Sequence, residues 1–189
     1  AQMIEILVGS QMGAAEYVAE QVAETLVQAG YDVTTHLKPE LNQLNQHAIW
    51  LVITSTYGAG DLPDNIQPFA DQLAQDQGDL TTLSYAVITL GDSSYDTFCL
   101  AGAKIAALLQ QKGARCLLPG LDIDAQDPEL PEDQALVWLP QFINSLSGST
   151  GAENVLRSQL RIRQNPISPG FADLMILLSS NYPQRIPIR

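Results

Sequence analysis

Basic residues are scarce in this sequence. Nine lysines and arginines face 21 aspartates and glutamates over 189 residues, a formal net charge of −12. The scarcity is sharpest in residues 1–146. There Lys38, Lys104, Lys112 and Arg115 stand against 19 acidic side chains, a formal −15, whereas residues 147–189 carry five arginines and two acids, a formal +3. A body this acidic repels nucleic-acid phosphates and anionic membrane surfaces, and it attracts basic protein faces. Metal-ligand residues are equally thin. Cys99 and Cys116 form no CxxC pair, and together with His36 and His47 they cannot build a familiar zinc site. They read as two reduced, mostly buried thiols, and no metal is expected. Long apolar runs are also missing: none approaches the ~20 residues that span a bilayer. The opening AQMIEILVGS lacks the basic and long apolar regions of a secretory signal, so a cytoplasmic protein is expected.

What is present is a chain that is 46% hydrophobic and 16% charged, enough to bury a core. Short apolar runs alternate with amphipathic stretches. Met3–Val8, Tyr31–His36, Ala48–Ser55, Leu83–Leu90 and Ala114–Ile123 read as strands, the last interrupted by Pro119-Gly120. The continuous run AIWLVITS suits a strand covered on both faces. Helices are expected at Gly13–Ala29, with Val18, Val22 and Leu26 on one face, and at Asn65–Gln75, opened by Pro63-Asp64. Two more are expected at Thr97–Lys112, with Ile105, Leu108 and Leu109 inward, and at Pro131–Leu146. Gly30 and Gly113 are placed to end helices. Five β-α units in residues 1–146 predict a three-layer doubly wound α/β fold around a five-stranded parallel sheet. Residues 147–189 differ. SGSTGAENV reads as a linker, four prolines follow, and the run Leu174–Leu178 is long enough only for a short docked helix. This segment is expected to be a tail rather than a domain.

Three loops that follow strand ends carry the chemistry. Gly9-Ser10-Gln11-Met12-Gly13-Ala14-Ala15 is built of small residues before a helix, where free N–H groups and the dipole favour an anion. It has no lysine or arginine, which excludes a nucleotide P-loop. Thr54-Ser55-Thr56-Tyr57-Gly58-Ala59-Gly60-Asp61 sets an aromatic ring beside two glycines. Leu90-Gly91-Asp92-Ser93-Ser94-Tyr95-Asp96-Thr97-Phe98-Cys99 sets a second tyrosine behind a glycine and small polar residues. In folds of this class ligands lie beyond the carboxyl ends of the strands, at the switch point of the strand order. One anion cradle and two rings there suit a phosphate-bearing aromatic cofactor held between aromatic side chains.

At these residues the chain resembles the flavodoxin family, in particular its short-chain members of the MioC type and the FMN domains of sulfite reductase and diflavin reductases. The resemblance spans about residues 3–146 and is strongest in GSQMGAAEYVAE, TSTYGAGDLPDN and LGDSSYDTFC. It implies the strand order 2-1-3-4-5 with FMN at the switch point, flavodoxin being the type example of that order. It also implies that Ser10, Gln11, Met12, Gly13, Ala14 and Ala15 hold the phosphate. Thr56, Tyr57, Gly58 and Ala59 then lie on one side of the isoalloxazine. Gly91, Asp92, Tyr95, Phe98 and Cys99 lie on the other, Tyr95 being the stacking ring. The carbonyl at the Gly58 position then turns to accept a hydrogen bond from N5–H of the reduced ring. One departure stands out. The common family loop reads T-x-T-G-x-T, and Ser10, Met12 and Ala15 occupy its three hydroxyl positions, which implies a modest affinity.

The resemblance implies a one-electron carrier rather than an enzyme, with no catalytic residues of its own. Its partners are the basic faces of a flavodoxin reductase and an acceptor enzyme, and it is expected to be a monomer. Two alternatives remain at this point: a detached FMN domain of a larger reductase, and a flavodoxin-like interaction module without FMN. A response-regulator receiver is excluded, because Gly9-Ser10, Ser55 and Asp122 stand where that chemistry needs acids and a lysine.

Overall fold

A computed structural model describes residues 2–146. The expectations for residues 147–189, linker and short helix included, lie outside the described residues. Six parallel strands form one sheet: β1 (Met3–Gly9), β2 (Asp32–His36), β3 (Ile49–Ser55), β4 (Ser84–Gly91), β5 (Arg115–Cys116) and β6 (Leu121–Asp124). Their order is β2-β1-β3-β4, and β5 and β6 then both pair with β4. The single fifth strand expected over 114–123 is therefore two short strands on one partner. Pro119 has no N–H to give the ladder. Gly120 passes so close to β4 that a Cβ there would sit 2.8 Å from the Val87 carbonyl oxygen.

Among the described residues four α-helices cover the sheet: α1 (Ala14–Gln28), α2 (Gln67–Gln75), α3 (Leu100–Gln111) and α4 (Pro131–Leu146). Strand alternation sorts the core onto two faces. Leu51 and Ile53 of β3 join Val18, Val22 and Leu26 of α1 and Leu139, Phe142 and Ile143 of α4 on one face. Trp50 and Val52 join Phe69 and Leu73 of α2 and Ile105 and Leu109 of α3 on the other. The Trp138 and Phe142 rings stack at 5.6 Å, and Trp50 meets Phe69 edge-on at 5.9 Å. Each such large side chain anchors its layer, since truncating a buried aromatic to alanine costs about 3–5 kcal/mol.

Several sequence expectations need correction. The second unit has no α-helix: β2 is followed by a 3-10 turn (Leu41–Gln43), so the five β-α units carry four helices. A buried glutamate organises that connection. Glu5 of β1 bonds His36 Nε2 at 3.1 Å and accepts the Asn45 N–H at 2.7 Å. Helix α2 begins at Gln67 rather than Asn65, and α3 begins at Leu100 rather than Thr97, because Cys99 takes a left-handed conformation (φ 55°) just before it. Leu108 is only partly buried. Cys99 is buried as expected but Cys116 is exposed. Both edges of the sheet are poor ladders: β2 exposes Asp32, Thr34 and Thr35, and the opposite edge is broken at 117–120.

Candidate functional site

Strand register brings the three loops together. Gly9 of β1 pairs with Thr54 of β3, and Ser55 pairs with Leu90 of β4, so their loops emerge side by side. Gly91 pairs with Asp124 of β6, which adds the β6–α4 loop to the cluster. The strand order turns between β1 and β3, since β1 connects to β2 on one side and β3 lies on the other.

The first loop is a cradle of backbone donors. Gly9 has to be glycine: a Cβ would run into the Thr54 hydroxyl and sit 2.8 Å from Ile66 Cγ2. Ser10 turns the chain, its Oγ accepting the Gly13 N–H at 3.0 Å and keeping its own hydrogen free. Gly13 is left-handed (φ 87°), and α1 starts directly after it with no side-chain cap. The first N–H groups of α1 therefore point out of the helix without intrahelical partners. Glu16 is the charged residue of that first turn, so no cation assists. Ala15 is fully buried and can offer only its N–H, whereas Met12 is 93% exposed.

The second loop is a tight turn. Tyr57 and Asp61 exchange backbone bonds of 2.8 and 2.7 Å, and Gly60 N–H also reaches the Tyr57 carbonyl at 3.1 Å. Its two glycines differ. A Cβ on Gly60 (φ 94°) would meet Leu100 and Thr97, but Gly58 (φ 51°) has only the Asp61 carboxylate at 3.6 Å. Lys104 of α3 donates to the Gly60 carbonyl at 2.9 Å. Packing and this bond fix the Gly60 side of the turn, and the Gly58 side is less crowded. Thr56 N–H is held by the Leu90 carbonyl at 2.9 Å.

The third loop is tied by carboxylates. Asp92 Oδ1 accepts from Ser94 N, Ser94 Oγ and Gln126 Nε2 at 2.9, 2.6 and 3.1 Å. The Ser94 hydroxyl and N–H hold the Asp92 carboxyl below its ordinary value. Asp124 Oδ1 accepts from Ser93 N and Gln126 N, each at 3.0 Å, which fastens the loop to the end of β6. Tyr95 is 62% exposed and Tyr57 53%, while Phe98 is half-buried. Cys99 lies under the loop with its Sγ 3.5 Å from the Thr89 carbonyl. Burial pushes its thiol up, which leaves it protonated and unreactive.

The residues present fit the FMN that the resemblance implies. The Thr56 Oγ1 is buried and has no hydrogen-bond partner among the described residues, an expensive state for a polar atom unless a ligand satisfies it. It belongs to the residue just before Tyr57, and the N–H of that residue is held by the end of β4. Ser10, Gln11, Met12, Gly13, Ala14 and Ala15 are brought together at the cradle. Thr56, Tyr57, Gly58 and Ala59 lie in the second loop, and Gly91, Asp92, Tyr95 and Phe98 in the third. The side chains of Cys99 and Ala15 are buried rather than presented to the cluster. Asn65, Lys104, Asp124 and Gln126 shape the site and were not assigned from sequence. Of these only Asn65 carried a signal, as the last residue of TSTYGAGDLPDN. Among the described residues there is no group of three or more potential metal ligands, and no helix is long and apolar enough to cross a membrane.

The flavodoxin family model matches residues 6–138. Protein MioC of Escherichia coli (strain K12) is 43% identical over 143 residues, covering 76% of this chain and 97% of that protein. Flavodoxin YqcA of the same organism is 39% identical over 146 residues, with 76% and 98% covered. Among solved structures, a cysteine-to-alanine mutant of flavodoxin from Pseudomonas aeruginosa superposes with a TM-score of 0.71 at 37% identity, covering 77% of this chain and 99% of that one. Oxidised flavodoxin 1 from Bacillus cereus gives a TM-score of 0.67 at 26% identity, with 78% and 100% covered.

Proposed function

The chain belongs to the flavodoxin family, whose cofactor is FMN, and from that footing we propose that it is a cytoplasmic, monomeric carrier taking single electrons from a reductase to an acceptor enzyme. The observation that carries this reading is the convergence of an uncharged N–H cradle and two exposed tyrosines at the adjacent ends of β1, β3 and β4. Bound FMN supplies the redox chemistry, accepting and releasing electrons one at a time. The protein's residues hold and tune it. The backbone N–H groups of 11, 12, 14 and 15 and the Ser10 hydroxyl would hold the phosphate, and Thr56 would offer its orphaned hydroxyl to the same ligand. Tyr57 and Tyr95 cover the ring faces, excluding water from them. The Gly58 carbonyl would accept a hydrogen bond from a protonated ring nitrogen of the bound cofactor.

Acidity does two things in this reading. Exposed Asp61 and Asp96 stand on the ring-flanking loops. A carboxylate ~8 Å from a developing negative charge opposes it by about 2 kcal/mol at an effective dielectric of ~20, before salt screening. The same charges steer basic partner faces to the exposed edge of the site. The test is a visible absorption spectrum before and after adding FMN, followed by anaerobic stepwise reduction. The carrier reading requires saturable binding and a distinct one-electron stage. Absence of binding at micromolar FMN would leave only a flavodoxin-shaped interaction module. Electron-transfer rates to a basic partner should fall with ionic strength, and flat rates would remove the steering role.

A further inference from the structure

We infer that Asn65 is the positioning residue of the phosphate cradle, and that through it the chain separates a phosphorylated flavin from its dephosphorylated form. The inference rests on the FMN reading above. Asn65 lies just ahead of α2 and belongs to none of the three loops' turns. Its Oδ1 accepts the Ser10 N–H at 2.9 Å. Its Nδ2 donates both hydrogens, to the Val8 carbonyl at 2.7 Å and to the Leu37 carbonyl at 2.9 Å. These partners are 55, 57 and 28 residues away along the chain. One amide thus joins the end of β1, the residue after β2 and the first residue of the cradle.

The bonds leave the cradle little slack. Gly9 stands between Val8 and Ser10, and the space a Cβ would need there is filled by Thr54 and by Ile66, the neighbour of Asn65. The Val8–Ser10 backbone is therefore pressed against the segment that carries the amide. Orientation passes onward, since Ser10 Oγ accepts the Gly13 N–H at the start of α1. Asn65 acts through Ser10 rather than on the anion, because three of its four hydrogen-bonding positions are engaged with backbone.

This arrangement answers a need set by charge. The cradle has no lysine or arginine, and residues 1–146 carry a formal −15. Neutral N–H donors must hold an anion against that field, and hydrogen bonds weaken steeply with misalignment. The ring-flanking loops contain none of the Asn65 partners, so an unphosphorylated ring should be insensitive to it.

The experiment uses the full chain, stripped of flavin and titrated with FMN and with riboflavin, alongside Asn65→Ala and Asn65→Gln. Thermal unfolding with and without inorganic phosphate supplies a second readout. The expected result for both variants is a loss of FMN affinity of about tenfold or more, as for one or two hydrogen bonds, with riboflavin affinity changed by less than about twofold. Stabilisation by inorganic phosphate should disappear in the variants. Equal weakening of FMN and riboflavin would reduce Asn65 to a general structural bond and overturn the inference, as would unchanged FMN affinity. If Asn65→Ala melts without a cooperative transition, Asn65→Gln, which retains the amide one methylene out of place, decides. A wild-type chain that binds neither FMN nor phosphate overturns the FMN reading itself, which is distinguishable from failure of the variants alone.

Discussion

The phosphate cradle and the two tyrosine loops lie at neighbouring strand ends but are held by opposite means. The cradle is fixed by a neutral amide, a serine hydroxyl and a glycine pressed against β3. The tyrosine loops are fixed by charged groups: Lys104 on the Gly60 carbonyl, and Asp92 and Asp124 on the backbone of 93–94. A cradle must offer the same geometry whatever the oxidation state, because the phosphate does not change. The loops beside a redox ring meet a charge that comes and goes. In the proposed reading they would tune potential without loosening the cofactor. Holding and tuning are in this way assigned to separate stretches of chain.

Variants can break that division or sharpen it. The largest effect is expected from Gly9→Val. Its side chain would have to displace Thr54 and Ile66, an overpacking cost of about 3 kcal/mol. Calorimetry should show the melting temperature down by roughly 10 °C, with FMN binding lost; a wild-type melt would mean the cradle is not pressed on β3. Next in size is the double change Asp61→Asn and Asp96→Asn. It should raise the lower of the two one-electron potentials by roughly 100 mV while FMN affinity in the oxidised state barely moves. Spectroelectrochemistry reads the potential, and an unchanged value would place the tuning elsewhere. Lys104→Met should be smaller, lowering both potentials by roughly 30 mV, and Lys104→Arg should restore them. If the arginine variant behaves as the methionine one, the geometry of the Gly60 bond matters more than its charge.

The smallest effect concerns pH. Asp92 has its folded-state value lowered by Ser94, so the carboxylate favours folding above its unfolded value, and that contribution is lost as pH falls through the lowered one. Asp92→Ala should therefore flatten the acid side of the stability curve and change nothing in its shape between about pH 6 and 8. Denaturant melts across that range and below pH 5 check it.

Much of this architecture was legible in the sequence because its signals are local. AIWLVITS and LSYAVITL are apolar enough to require cover on both faces, and the glycine and tyrosine pattern of the strand-end loops is a property of contiguous residues. The misread elements depended on distant partners. The 114–123 strand divides only because both halves find β4 across a Pro-Gly break. The start of α3 moves to Leu100 because Cys99 is left-handed beneath the loop packed against Gly91. Asn65 stands in the sequence as the first residue of an expected helix, and Lys104 only as one of four basic residues in 1–146. Their roles exist only once β1, β2 and α3 have been folded against the second loop. The buried Glu5 gave no hint either, since its partners, His36 and the Asn45 N–H, are reached only after β1 pairs with β2.

The poor ladders at both edges of the sheet bear on how the protein behaves in a crowd. A long, flat, apolar edge invites another strand to add to it, which is the first step toward aggregation. Here one edge is five residues of mostly polar strand, and the other is cut by Pro119. Two copies that collide edge to edge find no row of backbone groups long enough to zip. Met12, Tyr57 and Tyr95, exposed large side chains at the loop end, stand apart from both edges, so the apolar surface there offers a partner side chains rather than a strand to extend.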